Sequence, residues 1–401
     1  MWRGELDAGG IAKAVPSGRL AHIKLLYNKL WLWPRPIRVA MDSEAERGVP
    51  KTGTKIREGR AKWLVRLRSP DTLCGMQSLV TLDEIESVAP GIDSVVPPTP
   101  QYAWPLLGAR TGCELWVKQE NHTEIGSFKI RGALHYMNRL VAREPGVKGV
   151  IAATRGNFGQ AVAFAAAKHG LSTVIVVPHG NSVEKNRAMR GLGAELIEHG
   201  EDFQAALVRS EVLAGERGLH WVPAFHRDLA WGNAVSMVEF LRRAPPLELV
   251  YIPIGMGTGV CSLVAARDAL KLPTRVVGVA VEEAPAIALS FRSGRQVFHA
   301  ASTRIADGMA CSTPNTEALG WILRGIDRIV SVTDDEVEAG MRAYFADTHN
   351  VAEGAAGAGL AAVLRDRESV AGKRVGVVFT GGNVDADKFA RVLSSGPAAS
   401  A

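Results

Sequence analysis

Four short stretches of this 401-residue chain carry residue types whose spacing could do chemistry. The first is Gly126-Ser127-Phe128-Lys129-Ile130-Arg131-Gly132, where a lysine opens a helical pattern. A cation is disfavoured beside the positive end of a helix dipole. That placement lowers the amine's pKa and makes it a better nucleophile; a solvated surface lysine is the competing reading. The second is Thr154-Arg155-Gly156-Asn157-Phe158-Gly159-Gln160, between an apolar run and an alanine-rich helical pattern. Asn157 either caps that helix or presents its amide to a ligand. The third is Pro253-Ile254-Gly255-Met256-Gly257-Thr258-Gly259. Alternate glycines let backbone N–H groups close on an anion at a helix N-terminus, where a phosphate fits, although many α/β proteins have such loops. The fourth is Thr380-Gly381-Gly382-Asn383, which suits a sharp turn with a ligand pressed to the backbone, or a plain strand–turn.

The elements that must hold these stretches alternate. Gly149–Thr154 is a short apolar run, Asn157–His169 is helical up to Gly170, and Ser172–Val177 is β-branched up to Pro178. Helical Val183–Leu192, strand Ala194–Glu198 and helical Asp202–Arg217 follow. Strand Leu249–Ile254 leads through the glycine loop to a helix over Val260–Leu270, and Arg275–Val281 and Arg374–Phe379 are further strands. Upstream, Thr81-Leu82-Asp83-Glu84 reads as a capped helix opening. Such alternation implies parallel strands covered by helices on both faces. Ligands in these sheets sit beyond the carboxyl ends of strands, where three of the four stretches fall.

Composition excludes several classes. Residues 1–75 carry 15 lysines and arginines against 7 acids, whereas residues 76–401 carry 32 against 34. The net charge of +6 therefore belongs to one end, and the body shows no charge signature for nucleic acid. No run of eighteen apolar residues suggests a membrane span. Cys74, Cys113, Cys261 and Cys311 form no Cys-x-x-Cys pair, so neither a disulfide framework nor a zinc site is expected, and a reducing cytosol is. The basic extension 1–75, with the apolar stretch Leu20–Trp33, reads either as an amphipathic surface segment or as a disordered or non-native tail. The second reading is preferred, with Met76 as the candidate start.

From about Leu82 to Leu393 the chain resembles the fold-type-II enzymes that use pyridoxal 5′-phosphate, and within them the threonine/serine dehydratases. The string Ser127-Phe128-Lys129-Ile130-Arg131-Gly132-Ala133 carries the resemblance, with Gly156-Asn157, Gly381-Gly382-Asn383, Ala306-Asp307-Gly308 and Pro97-Pro98-Thr99-Pro100. It implies a two-domain α/β fold like that of the tryptophan synthase β chain, with mostly parallel twisted sheets flanked by helices. Residues 76–147 plus 233–401 would form the large cofactor-binding domain and 148–232 a small inserted one. By resemblance, Lys129 carries the cofactor as a Schiff base and then takes the α-proton. Phe128 packs on the pyridine ring, and Asn157 hydrogen-bonds its hydroxyl. Gly255, Met256, Gly257, Thr258 and Gly259 hold the phosphate, and Thr380 meets the ring nitrogen. Ser127, Thr154, Arg155 and Phe158 would contact the substrate. A hydroxyl is a weaker partner for the ring nitrogen than a carboxylate, which favours prompt loss of a β-substituent. The expected reaction is β-elimination of L-threonine or L-serine to a 2-oxo acid and ammonia, in a cytoplasmic homodimer without nucleic-acid or membrane partners.

The chain departs from the family's pattern in places. Arg155 stands where racemase relatives have a serine, and arginine has no accessible neutral form, which argues against serine racemisation. It would pair either with a second anionic group on the substrate or with a neighbouring acid in the loop. Phe158 replaces a histidine and would admit a bulkier β-substituent, such as phenyl. The frame of a divalent-cation site falls on Glu282, Ala286 and Ala288, which lack the aspartate; Glu283 could compensate, and no metal is assigned. Glu353 either faces the site or caps the helix after it. The 18 residues after Asn383 leave no room for a regulatory domain, so an unregulated, catabolic enzyme is expected. Four alternatives stay open. They are dehydration of phenylserine or 3-hydroxyaspartate, β-replacement, a non-catalytic binding protein on the same scaffold, against which the intact Lys129 stands, and an NAD-dependent oxidoreductase, against which Val260 stands where Gly-x-Gly-x-x-Gly needs its third glycine.

Overall fold

The computed structural model describes residues 80–395; the basic extension 1–75 lies outside them. The chain runs α1 (Leu82–Asp93), β1 (Gln101–Ala103), α2 (Pro105–Thr111), β2 (Glu114–Gln119), α3 (Lys129–Arg143), β3 (Gly149–Ala153), α4 (Asn157–Ala167) and β4 (Ser172–Val177). It continues α5 (Val183–Gly191), β5 (Glu195–Glu198), α6 (Phe203–Arg217), β6 (His220–Trp221), α7 (Arg227–Arg243), β7 (Leu249–Pro253), α8 (Thr258–Ala269) and β8 (Arg275–Val281). The last stretch is α9 (Ala286–Ser293), α10 (Thr316–Gly325), β9 (Arg328–Val332), α11 (Asp334–Thr348), α12 (Gly354–Arg365), α13 (Arg367–Val370), β10 (Arg374–Phe379) and α14 (Ala386–Ser394). Thr81 caps α1 in a full capping box with Glu84, as its sequence implies. Helix α8 begins at Thr258, two residues before its expected start, which puts Thr258 and Gly259 in its first turn.

Two sheets result. One has six strands in the order β1-β2-β10-β7-β8-β9, and the other four in the order β5-β4-β3-β6. Only β1, which pairs Gln101 with Lys118, runs antiparallel to its neighbour. The apolar strand runs reflect two covered faces. Val250 and Ile252 of β7 join one core with Met237 and Phe240 of α7 and Leu263 of α8. Leu249 and Tyr251 join the opposite core with Met341 and Tyr344 of α11 and Leu360 of α12. The period-2 pleat divides the strand between them. In the small sheet, Val150 and Ile175 face α3 and α4, whereas Ile151 and Val176 face α6. The carboxyl ends of β3, β7 and β10 and the first turn of α3 then surround one cavity. Among the described residues no helix is long and apolar enough to cross a membrane.

Candidate active site

Lys129 is the first residue of α3, and no acid occupies that first turn. Burial pushes its amine below the usual lysine range, against the opposing pull of Glu353. Its ammonium lies 4.9 Å from the centre of the Phe128 ring. The backbone before it is stitched to the fourth stretch. Phe128 N–H donates to Thr380 O at 3.2 Å, Gly382 N–H donates to Gly126 O at 3.0 Å, and Ser127 bridges Gly381. The cavity is partly open to solvent and spans about 920 Å³ with that open space included.

Twelve of the thirteen residues singled out from the sequence line this cavity. Ser127 does not line it: its backbone bridges Gly381, and its hydroxyl is buried without a partner. The glycine loop forms one wall. Gly257 has φ +104°, a conformation other residues resist, and a Cβ there would meet Ala318 Cβ at 2.7 Å. Gly257 also stands at the N-cap of α8 and supplies no side chain, which leaves the first-turn amides to a ligand.

Asn157 is the first residue of α4 rather than its cap, which is Gly156. Its Nδ2 donates to both carboxylate oxygens of Glu353 at 2.8 Å, and its Oδ1 accepts from Asn383 Nδ2 at 2.9 Å. Glu353 makes no capping bond to α12 and lines the cavity instead, which decides between its two readings. Burial raises its pKa above the usual carboxylate range, although Lys185, Asn157 and Lys129 pull it down. Thr380 Oγ1 is buried with no partner on the cavity wall.

Two lining residues, Lys185 and Cys311, have no site role in the sequence reading. Lys185 of α5 reaches Asp307 at 3.5 Å, with its stem packed over Gly156. Cys311 lies near Lys129, its thiol pushed up to about 11 by burial. Lys185 sits in a polar helical stretch like any surface lysine, so only packing reveals it. Arg155 lines the cavity half-buried and makes no ion pair or hydrogen bond, which removes the reading that gave it a neighbouring acid. Glu282 pairs with Arg365 at 3.0 Å, and Glu283 Oε1 accepts the Asp334 amide. Among the described residues no three metal-binding side chains cluster.

An uncapped glycine loop, a lysine with a depressed pKa and an orphaned hydroxyl in one cavity fit a phosphate-bearing aromatic aldehyde. The sequence profile of the pyridoxal-phosphate dependent enzymes matches residues 92–381. The chain belongs to this family. It is 31% identical over 319 residues to an L-threonine ammonia-lyase of Thermotoga maritima, covering 79% of each chain. It is 30% identical to the L-threo-3-hydroxyaspartate ammonia-lyase of Saccharomyces cerevisiae, over 78% of this chain and 96% of that one. Among solved structures it resembles a pyridoxal 5′-phosphate-dependent aspartate racemase, with a TM-score of 0.73 and 27% identity over 78% of this chain and 99% of that one. As a member of the pyridoxal-phosphate family, the protein takes that cofactor, and the dinucleotide alternative is not favoured.

Proposed function

We propose that the protein is an ammonia-lyase that converts L-threonine or L-serine to the 2-oxo acid and ammonia. The single observation that carries this reading is the cavity that joins the depressed Lys129 amine to the unpartnered hydroxyl of Thr380. Relatives named as threonine ammonia-lyases and dehydratases, at 29–32% identity, support the substrate. Pyridoxal phosphate, when bound, supplies the electron sink that acidifies the substrate's α-carbon. The chain's own residues do the rest. The first-turn amides of α8 and the loop 255–259 hold the phosphate, and Thr380 donates to the ring nitrogen. Lys129, its pKa lowered by burial, takes the α-proton. Thr154 and the uncapped N-terminus of α4 hold the α-carboxylate. Water leaves from the β-carbon and one water returns in the final hydrolysis, so threonine becomes 2-oxobutanoate plus ammonia.

The same reading takes residues 76–147 plus 233–401 as the cofactor-binding domain and 148–232 as a small inserted one, a division that the separate four-stranded sheet supports. It places the enzyme in the cytosol, in keeping with free Cys113, Cys261 and Cys311, and pairs it as a homodimer, the commonest oligomer of soluble proteins. Release of 2-oxo acid from L-threonine and L-serine tests the function. The wild type should turn over at least one of them, and Lys129→Ala should be slower by about a thousandfold or more. Equal rates in the two proteins would end the proposal.

A further inference from the structure

Of the charged groups that line the cavity, all but Lys129 and Arg155 have a polar partner. Asp307 meets Lys185 at 3.5 Å and Lys388 at 3.8 Å. Glu353 is held through both oxygens by Asn157. Lys129 is the cofactor's lysine on the reading above. Besides Lys129, which that reading gives to the cofactor, Arg155 alone among these groups has neither an ion pair nor a hydrogen bond. A half-buried guanidinium is costly to leave without an anion, and its planar fork matches a carboxylate through two parallel bonds.

Its place in the fold says which anion. The loop that would hold a phosphate follows β7 of the six-stranded sheet, whereas Arg155 follows β3 of the four-stranded one. The α-carboxylate of an amino acid already has donors one residue further on. Gly156 at the N-cap of α4 supplies no side chain, so the amides of Asn157 and Phe158 stay open. Arg155 is therefore available to a second anionic group on the same substrate.

We propose that Arg155 selects amino acids that carry a carboxylate on the β-carbon, of which 3-hydroxyaspartate is the member that can lose water. The inference rests on the elimination reading above and adds to its substrates one with a second carboxylate. The reaction balances in the same way: water leaves from the β-carbon, one water returns, and 3-hydroxyaspartate yields oxaloacetate and ammonia.

The test uses the cofactor-loaded full chain, with Arg155→Ala and Arg155→Lys beside it, each checked for native circular dichroism. Ammonia release from L-threo-3-hydroxyaspartate and from L-threonine gives a ratio of kcat/KM. In the wild type the ratio should favour 3-hydroxyaspartate, and in Arg155→Ala it should fall by about a hundredfold, mostly through KM. Arg155→Lys should keep part of the preference. Equal losses on both substrates would place Arg155 on the α-carboxylate and overturn the proposal. Calorimetric binding of succinate against butyrate, neither of which can react, separates the two levels of the argument. Succinate should bind about tenfold tighter or better, and only while Arg155 is present. If no amino acid is turned over and succinate still binds through Arg155, the elimination reading fails and the role of Arg155 stands. If threonine is turned over and succinate shows no advantage, this inference alone falls.

Discussion

Burial and charge pull the Lys129 amine in opposite directions, and Glu353 is the group that pulls it up. Removing that carboxylate's charge leaves burial unopposed, so the lysine pKa should fall further. In cofactor-stripped protein, the pH dependence of Lys129 reductive methylation, followed by mass spectrometry, should show a midpoint below the usual lysine value of about 10.4. In Glu353→Gln the midpoint should move lower still. A midpoint that stays put or rises would show that Glu353 does not act on the lysine. The lysine was legible because the local string Ser127-Phe128-Lys129-Ile130-Arg131-Gly132-Ala133 carries the family resemblance; by its helix position alone it reads as a surface lysine. The direction in which Glu353 points was not. It stands before a small-residue helix, where a cap and a cavity wall look alike, and only the Asn157 contact across 196 positions separates them.

Among the elements, the close packing of α3 on α7 fixes where Lys129 can lie. Gly132 N–H donates to Asn233 Oδ1 at 2.8 Å, and a Cβ on Gly132 would overlap the Leu229 carbonyl oxygen. One turn of α3 therefore touches the backbone of α7, three residues after the lysine. Gly132→Ala should cost about 1–3 kcal/mol in urea unfolding, as overpacking does, and should weaken cofactor binding because α3 must shift. Gly215→Ala in α6, where nothing lies within 4 Å of the added methyl, should instead stabilise by about 0.5–1 kcal/mol. Equal effects at both sites would mean that helix propensity, not the contact between helices, governs Gly132. The strands Ser172–Val177, Arg275–Val281 and Arg374–Phe379 coincide with apolar runs in the sequence, since both their faces are covered. Strand β9, which pairs only with β8, has the weaker pattern of an edge and went unread.

On the scale of the whole molecule, the two sheets are tied by charges buried between them. Lys118, at the end of β2 in the six-stranded sheet, meets Glu239 of α7 at 2.8 Å. Glu120, one residue beyond β2, meets Arg131 of α3 at 3.1 Å, while Arg131 donates to the Val96 and Pro97 carbonyls. Next to Arg131, Ile130 of α3 packs with Val150 of the four-stranded sheet. Lys118, Glu120 and Arg131 are all fully buried. Burial would raise the Glu120 carboxyl, but the charges of Arg131 and Lys118 outweigh it and hold the group below the usual carboxylate range. The sign of its pH dependence follows. Above about pH 5 the carboxylate is charged in both folded and unfolded chains, and its contribution is complete. As pH falls through the usual value of about 4.3, the unfolded chain takes up the proton first, and stability drops until the folded group is protonated too. Glu120→Gln should remove that slope. It should also cost about 3–5 kcal/mol at pH 7, because Arg131 loses its fully buried anion and keeps only the longer contact to Asp93 at 3.5 Å. Urea unfolding at a series of pH values would show a steep wild-type loss below pH 5 and a shallower one in the variant. Parallel curves would mean that other carboxylates govern acid unfolding and that this cluster adds nothing to it.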